Sequence, residues 1–100
     1  MTILLFGGSG LLGKELQKLD NKIICPVHSH VNVQDPHQVH HCIKSYKPDI
    51  VIHAAAMIDN RKIEKEPIEG ILNNIIGTAN VSIQCTKFNS RMVYISTDYV

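Results

Sequence analysis

The sequence predicts an α/β domain in which helices cover both faces of a parallel sheet. Three observations carry that expectation. Short continuous apolar runs alternate with longer stretches of helical period along the 100 residues. Breakers separate them: a glycine cluster at 7–13, Asp35-Pro36, Pro48-Asp49 and Pro67. The order reads β-α-β-(β)-α-β-α-β, the pattern of a parallel sheet built by helical crossovers.

Each element has its own signal. Ile3 to Phe6 is a continuous apolar run that stops at Gly7-Gly8, as a strand buried on both faces does. Leu12, Leu16 and Leu19 fall at i, i+4, i+7, one face of a helix ending near Asp20-Asn21. Lys22 to Val27 reads as a second strand, and Val31 with Val33 as a short third one. Asp35-Pro36 opens a helix, with Asp at the N-cap and Pro at the first helical position. On it Val39, Cys42, Ile43 and Tyr46 share the buried face. Ile50 to His53 gives the fourth strand. Pro67 opens a long helix with Ile68, Ile71, Leu72, Ile75, Ala79 and Ile83 on one side, and Gly77 lets it pack closely on the sheet. Met92 to Ser96 is the fifth major strand. The sequence stops just after it with no closing helix, so the domain is expected to be incomplete.

Composition narrows the function. Hydrophobic residues make up 44% and charged residues 19%, with a net charge of +1. That is one small core without the polarity of a disordered chain, and without a basic field for nucleic acid. No apolar run reaches the ~18–20 residues of a membrane span, and the N-terminus lacks the basic region of a signal peptide. Cys25, Cys42 and Cys85 are odd in number and widely spaced, which fits reduced core thiols in a cytoplasmic protein.

The chemistry concentrates at Gly7-x-x-Gly10-x-x-Gly13, set between a strand and a helix. A pyrophosphate at that turn needs a sharp backbone reversal, an approach unobstructed by a Cβ, and a helix packed close to the sheet. The helix N-terminus adds unpaired N–H groups and partial positive charge. This is the Rossmann-type arrangement for NAD or NADP. After the second strand, Pro26-Val27-His28-Ser29-His30 offers no carboxylate for a ribose 2′-hydroxyl. The cofactor choice therefore leans to NADP or to use of both.

Other candidates read more simply. His37 and His41 stand at i, i+4, a spacing that suits metal. No third ligand accompanies them, and they read as solvent-facing with His40 and Lys44. His53 reads as a satisfied core histidine. The mixed charges at Asp59 to Lys62 and Glu64 to Glu66 read as solvated surface. Asn74 reads equally as a residue hydrogen-bonding near the active centre and as an ordinary helix-interior residue.

Four blocks resemble the dTDP-4-dehydrorhamnose reductases, which are extended short-chain dehydrogenases/reductases of nucleotide-sugar metabolism. They are Met1 to Gly7 with Gly10 to Gln17; Lys47 to Ala56; Lys62, Glu64 and Glu66-Pro67; and Ser96-Thr97-Asp98-Tyr99-Val100. The resemblance covers the whole chain, and its last block is the most specific. It implies hydride transfer from NADP(H) or NAD(H) to the C4 ketone of a dTDP-4-keto-6-deoxyhexose. Gly7, Gly10, Leu11, Leu12 and Gly13 would hold the pyrophosphate. Asn32 and Val33 stand where the family has Asp and an apolar residue against the adenine. Ala55, Ala56 and Met57 would line the nicotinamide-side ribose. Thr97 stands at the hydroxyl residue that orients the ketone, with Asp98 beside it at the sugar nucleotide.

The sequence departs from the family at Pro26, His53, Met57-Ile58 and Arg61, which leaves the sugar open. The family's acid catalyst, Tyr-x-x-x-Lys, is absent: Tyr46 is followed at +4 by Ile50 and Tyr94 by Asp98. Residues 1–100 alone are therefore expected to show no turnover. The resemblance extends to regulatory subunits of methionine adenosyltransferase, which bind dinucleotide without the reductase reaction. A homodimer and a pairing with a partner subunit both stay open.

Overall fold

The computed structural model describes residues 1–7, 11–19, 22–26, 31–54 and 67–95. Strand β1 (Ile3–Phe6) leads to α1 (Leu11–Leu19), then α2 (Pro36–Tyr46), β2 (Ile50–His53), α3 (Pro67–Lys87) and β3 (Arg91–Tyr94). The strands lie in the order β1-β2-β3, all parallel. In register, Phe6 stands beside His53 and His53 beside Tyr94.

Among its described residues, 22–26, the expected second strand is represented by one bridge. Ile24 pairs with Leu4, donating to Ile3 O at 2.9 Å while its carbonyl accepts from Leu5 N at 2.8 Å. That bridge still places the segment outside β1. The chain steps outward from β1 to Ile24, then crosses back beyond β1 to β2. α2 and α3 pack together on one face, and the right-handed rule for parallel crossovers assigns α1 to the other. The order reverses at β1, between Ile24 and β2, which makes the carboxyl ends of β1 and β2 the switch point of the sheet.

The core lies under α2 and α3. Leu4, Phe6 and Val51 meet Val39, Cys42 and Ile43 of α2 and Val81 and Cys85 of α3. Strand alternation sends Leu4 and Phe6 to this face and Leu5, also fully buried, to the other.

Helix ends follow their sequence signals. Asp35 caps α2: its Oδ1 accepts from His37 N at 2.9 Å, and Pro36 is the first helical residue. The helix stops at Lys47, whose left-handed backbone donates to Ile43 O, with Pro48 next in line. α3 ends the same way on Asn89, with Ser90 N donating to Cys85 O at 2.9 Å.

Four expectations are corrected. Val31 and Val33 form no strand, because a turn closes from Asp35 N to Asn32 O and feeds α2; both still pack on the core. Leu19 is 82% exposed, lying at the last turn of α1, and Tyr46 is 45% exposed for the same reason at the end of α2. On α3 the large apolar stripe faces outward: Ile68 is 74% exposed, and Ile71, Leu72, Ile75, Ala79 and Ile83 are exposed too. The side of α3 that packs carries Gly77, Val81 and Cys85.

Candidate functional site

β1 ends in Phe6, and Gly7 follows with φ 90°, a conformation strained for any residue with a Cβ. The turn therefore requires glycine at that position. Leu11, Leu12 and Gly13 form the first turn of α1, whose N–H groups have no partner within the helix. Gly10 lies outside the described residues. The described part of the glycine motif thus has the strand, the left-handed residue and the helix start in the expected order.

Beside it stands the end of β2. Ala54 N donates to Phe6 O at 2.9 Å, which ties the two strand ends together. His53 is 1% exposed, and its Nε2 lies 3.2 Å from Thr78 Oγ1 on α3. Burial pushes the imidazole down to about 4, so the ring is neutral near pH 7. Its Nδ1 is buried and has no hydrogen-bond partner among the described residues, and neither has Asn74 Oδ1. Asn74 and Thr78 are four residues apart and share a face of α3. One orphaned polar atom, His53 Nδ1, therefore stands at the strand end beside the glycine turn, and a second, Asn74 Oδ1, lies one turn of α3 before Thr78. His53 is only half-satisfied, a correction to the reading of a fully satisfied core histidine. Native interiors rarely leave such groups unpaired without a ligand or water to meet them.

Asn32 and Val33 sit in the turn before α2, held from two sides. Asn32 N donates to Gln38 Oε1 at 2.7 Å, and its own Oδ1 accepts from Gln34 N at 3.0 Å. Asn80 Nδ2 of α3 donates to Val33 O at 2.9 Å. A Cβ on Gly77 would stand 2.8 Å from Val33 Cγ2. Gly77 thus gives close approach to Val33, not to the sheet as the sequence suggested. Sequence reasoning missed Gln38 and Asn80. Gln38 carried a usable signal, since Gln three residues after an Asp N-cap is a capping pattern. Asn80 carried none.

The remaining predicted residues, Ala55, Ala56, Met57, Thr97 and Asp98, lie outside the described residues, as does the charge cluster at 59–66. Among the described residues no group of three metal-ligating side chains converges. His37 and His41 are exposed as expected, but His40 is not solvent-facing: its Nδ1 lies 2.9 Å from Gln84 Oε1, and its ring packs near Phe88. An open cavity of about 400 Å³ beside α2, lined by Pro26, His37, Gln38 and His41 among others, contains none of the predicted site residues. Among the described residues no helix is long and apolar enough to cross a membrane.

Residues 1–100 match the family model described as RmlD substrate binding domain. The dTDP-4-dehydrorhamnose reductase of Escherichia coli is 36% identical over 107 residues, covering 100% of this chain and 36% of its own length. Methionine adenosyltransferase 2 subunit beta of Rattus norvegicus is 29% identical over 109 residues, covering 98% of this chain and 33% of its own. Among solved structures, dTDP-4-dehydrorhamnose reductase from Bacillus anthracis, in complex with NADP, superposes with a TM-score of 0.89 at 32% identity. It covers 100% of this chain and 38% of that one. The chain thus spans about a third of the length of these relatives.

Proposed function

The chain belongs to the RmlD substrate binding domain family, and on that premise we propose that residues 1–100 are the NAD(P)-binding part of a nucleotide-sugar reductase. The proposed substrate is a dTDP-4-keto-6-deoxyhexose, and NADP(H) is preferred over NAD(H). One observation carries the cofactor reading: left-handed Gly7 between β1 and α1, at the switch point of the sheet. The residues present fit a dinucleotide there. Gly7 puts no Cβ at the end of β1, the first turn of α1 has N–H groups without helical partners to meet a pyrophosphate, and His53 Nδ1 is an unpartnered polar atom at the neighbouring strand end.

When bound, the reduced nicotinamide supplies the hydride. The chain's own residues bind and orient. Gly7, Gly10, Leu11, Leu12 and Gly13 receive the pyrophosphate, Asn32 and Val33 the adenine, and Ala55, Ala56 and Met57 the nicotinamide-side ribose. Thr97 orients the ketone by its hydroxyl, and Asp98 lies beside it at the sugar nucleotide. The buried, unpaired thiols of Cys42 and Cys85 support a reducing, cytoplasmic setting.

The same cradle would serve a dinucleotide-binding regulatory subunit, and a single set of measurements on the natural protein separates the two readings. Titration with NADPH and NADH should give saturable binding, tighter for NADPH and abolished by Gly10→Val, whose side chain blocks the approach of the pyrophosphate. Equal affinity in wild type and variant would sink the cofactor site. Consumption of NADPH that depends on a dTDP-4-keto-6-deoxyhexose, and falls in Thr97→Val at unchanged cofactor affinity, supports the reductase. Binding without turnover supports the regulatory subunit.

A further inference from the structure

α3 touches the candidate site twice. Thr78 meets the end of β2 through His53. Gly77 and Asn80, turned toward α2, meet the Asn32–Val33 turn. That turn is the unusual partner. It carries no strand ladder, so nothing in the sheet fixes its backbone. Side chains from two helices do so instead. Gln38 accepts from Asn32 N while its own amide donates to Asp35 Oδ2 at 3.1 Å, so the residue that bonds to the cap of α2 also anchors the turn. Asn80 reaches across 47 residues of sequence to the carbonyl of Val33.

Gly77 sharpens the point. A glycine inside a helix costs about 0.5–1 kcal/mol relative to alanine. Here it stands where an alanine Cβ would lie 2.8 Å from a methyl of Val33, a short and stiff side chain that cannot swing aside. The helix thus gives up stability to let Val33 lie close. Val33 remains only half-buried, with surface left over beside the turn.

We propose that Asn80 and Gly77 are positioning residues for the adenosine half of the dinucleotide, acting through the placement of Asn32 and Val33. This rests on the cofactor reading above. Asn80 holds the Val33 carbonyl from one side, Gly77 lets the side chain settle against the helix, and Gln38 holds Asn32. Together they set the height and tilt of the edge that meets the adenine.

The test uses the natural protein and three probes: NADPH, 2′,5′-ADP as the adenosine half, and reduced nicotinamide mononucleotide as the other half. Two variants reach the turn independently. Asn80→Leu removes the donor, and Gly77→Ala pushes on Val33. Thermal melts identify which variants are folded, and Gly77→Ala stands in should Asn80→Leu not fold. We expect each folded variant to lose affinity for 2′,5′-ADP and NADPH on the order of tenfold, the worth of about one net hydrogen bond. Affinity for the nicotinamide half should stay within about twofold of wild type, since no contact to it has changed. A general loosening of the fold would weaken all three probes alike, and that result overturns the proposal. So does unchanged affinity for 2′,5′-ADP in either folded variant. A wild-type protein that binds neither NADPH nor 2′,5′-ADP overturns the cofactor reading itself, and this inference with it.

Discussion

Acid should destabilise this protein through one buried ring, His53. In the fold the imidazole is 1% exposed and held down to about 4 by burial, against 6.5 in the unfolded chain. The described side chains around it are the Thr78 hydroxyl at 3.2 Å and the Tyr94 ring at 5.9 Å, neither of which offers a negative charge to a protonated ring. The sign follows. Between pH 6.5 and 4 the unfolded chain binds a proton that the folded one refuses, so stability falls as the pH falls through that window and levels off below it. Across the full window the loss is about 3 kcal/mol, at 1.36 kcal/mol per unit, and about 2.5 kcal/mol of it is spent by pH 4.5. Against a typical domain stability of about 5–15 kcal/mol, that is a large fraction.

Carboxylates titrate in the same range, so the measurement must isolate the histidine. Urea unfolding of the natural protein at pH 7.5 and pH 4.5 gives one difference, and the same pair on His53→Asn gives another. Asn keeps a polar group toward Thr78 and removes the titration. The wild type should lose about 2.5 kcal/mol more than the variant over this step. If the two lose the same amount, His53 carries its charge in the folded state and the buried, neutral assignment is wrong.

Two further outcomes follow from the same packing. Asp35→Ala removes the acceptor for His37 N and Gln38 N and should cost about 1 kcal/mol in chemical denaturation, with no change in the slope against denaturant. Cys42 and Cys85 are buried with their thiols pushed up to about 11, so at pH 8 an aromatic disulfide reagent should leave both unmodified in the folded protein and label them once it is unfolded in urea.

Much of the frame was legible. β1 and β2 ran over the predicted residues because a continuous apolar stretch, bounded by Gly7-Gly8 or Pro48-Asp49, has few alternatives at four residues. α2 was legible at both ends, since Asp35-Pro36 and the Pro48 stop each act through local backbone chemistry. The segment around Ile24 was less so. Lys22 to Val27 has strand composition, but composition does not say how much of the run pairs, and among the described residues the bridge to β1 is at Ile24. Val31 and Val33 failed for a related reason. Their alternation matched a strand, while Asn32 was free to close a side-chain turn onto Gln34 N, and that local bond won. Of the site, Gly7 and the start of α1 were legible because glycine at a strand end reports backbone conformation directly. Gln38, Thr78 and Asn80 act across 6 to 47 residues of sequence, and no local pattern encodes such partners.

The reversal of α3 explains the rest. Hydrophobic period ranks residues by size, and the largest, Ile68, Ile71, Leu72, Ile75 and Ile83, line one side of the helix. Close packing ranks them differently. Where a helix must approach another segment, bulk is an obstacle, and the contact side selects Gly77, Val81 and Cys85, with Thr78, Asn80 and Gln84 supplying polar bonds among them. The approach to Val33 is possible only because position 77 has no side chain. A helix apolar on one side and small and polar on the other is therefore read wrongly if bulk alone is taken to mark the core. Among the described residues of α3, Gly77, Thr78 and Asn80 touch the candidate site, and they come from the smaller side. Thr78 does so at the end of β2 and Gly77 and Asn80 at the Asn32–Val33 turn, and one helix sets the spacing between the two.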